Sequence, residues 1–136
     1  MTYDLMLLAD PGPERAVVLR TLQEAPDVHT DTNRADRFWL RTPLGEAQIN
    51  IGSKDPVESV HVAFELGKPA LTEVVARRTL TLGDALGMRL DDVQWGKEVR
   101  MDDVPELVRH CDALASRPAP ELVAPAATAR PWWKFW

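Results

Sequence analysis

Residues 37–66 read RFWLRTPLGEAQINIGSKDPVESVHVAFEL, and their patterning decides the fold. The runs 37–42 (RFWLRT) and 46–52 (EAQINIG) are parted by Pro43-Leu44-Gly45, a short glycine-bearing link of the hairpin type. The run 57–66 (VESVHVAFEL) follows the turn Ser53-Lys54-Asp55-Pro56. Three strands so closely spaced have no room for crossover helices, so the economical arrangement is an antiparallel meander. Alternation with period two then places Phe38, Leu40, Ala47, Ile49, Ile51, Val60, Val62, Phe64 and Leu66 on one face. The other face takes Arg37, Trp39, Arg41, Gln48, Asn50, Ser59, His61 and Glu65.

Outward from the meander, residues 2–9 (TYDLMLLA) are nearly all apolar, as in a central strand covered on both faces. Asp10 or Gly12 as cap and Pro13 in a first turn open a helix carrying Val18, Leu19 and Leu22, and Pro26 closes it. The polar stretch 27–36 reads as a loop. After the meander, 69–80 reads as a second helix and 81–87 as a further turn or two closed by Gly87. Residues 88–101 form a last strand or an irregular segment bending at Gly96. Asp102 or Asp103 caps a final helix in which Val104, Leu107, Val108, Cys111, Leu114 and Ala115 keep helical spacing behind Pro105.

The expected fold is therefore α+β. A mostly antiparallel sheet of four to five strands carries helices on one face, within a globular domain of residues 1–117. Residues 118–136 change character: four prolines and several alanines imply a flexible, extended arm, and the chain closes on Trp132-Trp133-Lys134-Phe135-Trp136. Each of those rings can bury about 150–250 Å², more together than a monomer normally leaves in water. Trp132, Trp133, Phe135 and Trp136 are thus candidate binding residues. Three destinations compete for them: this chain's own surface or that of a second copy, a groove on another protein, or peripheral contact with a lipid headgroup region.

Composition narrows the function. The net charge of −5 is concentrated in residues 1–117, which hold 20 acidic and 14 basic side chains. No Lys/Arg cluster offsets this, so nucleic acid is disfavoured and a basic protein partner is favoured. One cysteine excludes an internal disulfide, and the amino terminus lacks the basic region of a signal peptide, so a cytoplasmic location is expected. His29, His61 and His110 show no metal-ligand spacing, and no cofactor motif is present. His110 and Cys111 are neighbours on a helix and point about 100° apart, which argues against a nucleophile pair. No catalytic residue is assigned.

Two functional readings remain. The first is a non-catalytic protein-binding protein that uses its sheet face, with Trp39 flanked by arginines, and its aromatic terminus. The second is a small hydrolase or ligand-binding protein with a site on the open sheet face at Arg41, Asn50, His61 and Glu65. The stretch Leu86–Gly96 (LGMRLDDVQWG) also resembles a Leu-Gly-x-Arg-x-x-Asp-x-Gln-x-Gly pattern of small bacterial proteins, matching at Gly87, Arg89, Asp92, Gln94 and Gly96, with Val93 where proline is usual. Some such proteins look like immunity factors for secreted toxins. The resemblance implies a possible immunity or adaptor role and assigns no site.

Overall fold

The computed structural model describes residues 1–116. The expected arm and its four candidate aromatic residues, Trp132, Trp133, Phe135 and Trp136, lie outside the described residues. In chain order the elements are β1 (Thr2–Leu8), α1 (Arg15–Glu24), β2 (Val28–Thr30), β3 (Arg37–Thr42), β4 (Gly45–Asn50), β5 (Ser59–Glu65), α2 (Pro69–Leu86), β6 (Arg89–Asp92), β7 (Lys97–Val99) and α3 (Val104–Ala115), with a single 3-10 turn at Met101–Asp103. The strands form one antiparallel sheet in the order β2-β3-β4-β5-β1-β6-β7.

The meander is present in the expected register, with Phe38 opposite Ile49 and Ile49 opposite Val62. All nine residues assigned to its apolar face are buried. Tyr3, Leu5 and Leu7 of β1 and Leu90 and Val99 of the last hairpin extend that face across the sheet, where Val18, Leu22, Leu71, Val75, Leu107 and Cys111 of the helices meet it. Burial of each of these larger side chains contributes about 1.5–3 kcal/mol, which is why the periodicity alone suffices to place them.

The sheet has seven strands among the described residues, more than the four to five expected. The extra ones are three-residue edge strands. β2 lies inside the stretch read as a loop, and its residues are half-buried or exposed, so no alternation marks it. It exists because β3 offers unpaired backbone groups, which Val28–Thr30 satisfy. β6 and β7 form a hairpin bending at Gly96 rather than one strand. β1 is central as expected but covered on one face only: Asp4, Met6 and Leu8 are half-buried on the other.

α2 runs unbroken through the stretch read as two helices, and Gly87, at φ 68°, ends it by donating its N–H to the Gly83 carbonyl. Neither α1 nor α3 has the local side-chain cap expected of it. Instead the first N–H of α1, at Arg15, donates to Asp55 from the β4–β5 loop at 3.0 Å. Asp103 accepts from the Arg100 N–H at 2.9 Å and stabilises the 3-10 turn that leads into α3.

Candidate functional site

With all three helices on one face, the other face of the sheet is built only from side chains that alternate outward. Register places Arg37, Asn50, His61, Met6, Asp91 and Glu98 in one row across six strands. A neighbouring row holds His29, Trp39, Gln48, Ala63 and Asp4. The rows are joined at the centre, where His61 Nε2 lies 3.1 Å from Asp4 Oδ1 and both side chains remain nearly half exposed.

The residues singled out from sequence are only partly brought together. Asn50 sits directly across from His61. Arg41 is turned to its cross-strand neighbour Glu46, Nε to Oε2 at 2.7 Å. Glu65 pairs with Thr2 at the far end of β5. Trp39 is half-buried, and its indole N–H donates to Asp31 at 2.8 Å. Asp31 also accepts from the backbone N–H of Asn33 at 2.7 Å and of Arg34 at 3.2 Å, with Arg37 at 3.7 Å. The Asn33 bond, followed by that of Trp39, holds the Asp31 carboxyl below its ordinary range. The β2–β3 loop thus locks the indole against the sheet with its ring still on the open face.

Sequence reasoning missed Asp4 and Asp31. The signal for Asp4 was available: it is the one charged residue in an apolar strand, at the outward phase set by Tyr3, Leu5 and Leu7. Asp31 lay in the unassigned loop and became recognisable only when β2 brought it beside β3.

A second polar group lies beneath the opposite face. The hydroxyl of Tyr3, fully buried, donates to Asp92 Oδ2 at 2.5 Å, and Asp92 is itself 1% exposed. Its other oxygen accepts from the Trp95 N–H at 2.9 Å, closing the β6–β7 turn. Trp95 then stacks on His110 of α3, ring centroids 5.6 Å apart, with Lys97 Nζ 4.4 Å above the indole. The remaining positions of the 86–96 pattern also build this corner. Gln94 accepts from the Asp4 N–H at 3.4 Å, and Gly96, at φ 81°, donates to the Asp92 carbonyl at 2.7 Å. The pattern reads in fold terms as helix stop, strand and turn.

Cys111 adjoins this cluster, and its thiol is pushed up to about 12 by burial first and by the Asp92 carboxylate second. It is therefore no thiolate nucleophile at neutral pH. Burial, then the hydrogen bond to Asp92, likewise raises the Tyr3 phenol. Both groups ionise more readily in the unfolded chain, so their stabilisation is complete below the ordinary thiol value near 8.5 and is lost as pH rises towards the folded values. The loss amounts to about 1.4 kcal/mol per pH unit for each group ionised only when unfolded. The chain has one Tyr and one Cys, so the assignment is testable. The urea midpoint is expected to fall between about pH 8.5 and about pH 10, and Cys111→Ala should flatten that fall. An unchanged pH dependence in the variant would refute this assignment.

Among the described residues no three His, Cys, Asp or Glu side chains converge as a metal ion requires, and no helix is long and apolar enough to cross a membrane. Comparison of the chain with known protein families, curated proteins and solved structures finds no match.

Proposed function

We propose that this is a non-catalytic binding protein whose partner, another protein, docks on the open face of the seven-stranded sheet. The observation that supports the reading is the breadth of that face. Seven strands spaced about 4.8 Å apart and some six residues long offer roughly 600 Å², close to the roughly 800 Å² that one partner contributes to a stable interface. Trp39, held by Asp31, supplies a rigid aromatic anchor of the kind that dominates binding energy, and Ala63 beside Gln48 leaves a shallow centre. The acidic balance of the chain favours a partner with a basic surface. An adaptor or toxin-immunity role is consistent with such an interaction.

The test is capture from the source cell with the full chain and with Ala63→Arg, a substitution that projects a long charged side chain from the middle of the face. A partner bound by the native chain and weakened at least about tenfold by Ala63→Arg, equivalent to 1.4 kcal/mol, is the expected result. A partner retained equally by both, with circular dichroism showing each folded, counts against the sheet face.

The ligand-binding or hydrolytic reading keeps one observation in its favour, the His61–Asp4 contact beside Asn50. A carboxylate that orients an imidazole is the usual arrangement of a general base. That reading requires His61→Ala to abolish turnover or small-ligand binding, whereas the protein-docking reading requires only a modest change in affinity.

A further inference from the structure

On the helical side, a cleft of about 320 Å³ opens where the end of α1 meets β2 and α2. Its floor is the buried Leu40, and Pro26, Val28, Leu82 and Thr81 form the walls. Arg78 stands at the rim with its guanidinium fixed: Nη1 donates to Asp27 at 3.1 Å and Nη2 to the Pro26 carbonyl. A planar cation held edge-on by two acceptors leaves its faces for an aromatic ring, and the volume matches the lower end of ligand pockets, about 300 Å³.

We infer that the aromatic terminus of this same chain, Trp132 to Trp136, seats a ring in this cleft. Three observations commit the cleft to that occupant. The first is reach: residues 117–131 at roughly 3 Å each allow about 45 Å, more than the roughly 35 Å breadth of a domain this size. The second is charge. The cleft lies at the carboxyl end of α1, whose last turn carries no basic side chain, and Glu24 immediately precedes its Ala25 wall. Unsatisfied carbonyls and acids there favour the cations that flank the rings, Arg130 and Lys134. The third is chemistry: a mostly apolar cleft with one arginine at its lip suits an indole or a phenyl ring and offers little to a polar ligand.

The proposal is independent of the sheet-face reading, and the experiment separates them. Amide spectra of the isotope-labelled full chain are compared with those of the full chain carrying Trp132→Ala, Trp133→Ala, Phe135→Ala and Trp136→Ala. The expected differences cluster at Val28, Leu40, Arg78, Thr81 and Leu82 and persist on dilution. Thr81→Arg, on the exposed side of α2, fills the cleft with a charged chain and should erase them. Arg78→Ala should diminish them and serves if Thr81→Arg proves unfolded. Ala63→Arg, which disables the sheet face, should leave them intact. Differences that are absent, that fall on the open sheet face, or that fade on dilution as a contact between copies must would each overturn the inference.

Discussion

Replacement of Asp92 by alanine is expected to lower the free energy of unfolding by about 3 kcal/mol and the melting temperature by roughly 10 °C. The carboxylate is buried and takes donors from two distant parts of the chain, the Tyr3 hydroxyl in β1 and the Trp95 N–H in the β6–β7 turn. Without it the hydroxyl is left in an apolar site with no acceptor, at a cost of about 1–3 kcal/mol, and the turn that stacks Trp95 on His110 loses its tie. Tyr3→Phe removes only one oxygen but strips a buried carboxylate of a donor, so it too should cost about 3 kcal/mol. The double variant should be less damaged than the sum of the two, with a coupling of about 1–3 kcal/mol. Chemical denaturation of the four proteins measures this cycle. Asp92→Ala within about 0.5 kcal/mol of the native chain would show that the pair contributes nothing of note.

The second large effect is expected at Gly12. A methyl group there would lie 1.8 Å from the Val57 carbonyl oxygen, 2.4 Å from its carbon and 2.9 Å from the Glu58 Cα. All three are backbone atoms, so no side chain can swing aside. The segment before α1 would have to separate from the β4–β5 loop, and the bonds that join them are at stake: Val57 N–H to Pro13 carbonyl at 2.8 Å, Ala9 N–H to Glu58 carbonyl at 3.1 Å and the Asp55 cap on α1. Gly12→Ala should therefore destabilise by about 3 kcal/mol or more, even though it adds one carbon to a loop. Thermal unfolding of the variant tests the prediction, and a melting temperature unchanged from the native protein would contradict the close approach.

The core was legible because burial repeats every second residue in a strand. Phe38, Leu40, Ile49, Val60, Val62 and Phe64 could be placed without any tertiary knowledge, and all of them are buried. The edges were not legible. Val28–Thr30 pair with β3 through backbone groups that any residue carries, and their side chains hold no periodic signal. The candidate site divides in the same way. That Trp39, Asn50 and His61 share a face follows from alternation, whereas the partners that define their surroundings, Asp31 and Asp4, come from strands and loops remote in sequence.

The amino-acid order by itself determined the element types, the apolar face of the meander, the stop at Gly87 and the concentration of aromatic surface in the last five positions. These are consequences of local backbone preference and of side-chain periodicity, which act over a few residues. Only the tertiary structure decided that β1 inserts between β5 and β6, that Asp92 meets Tyr3, that Asp55 caps α1, and that a cleft opens beside Arg78. Each of these joins residues tens of positions apart, and their pairing depends on how the whole sheet is ordered rather than on any short-range rule.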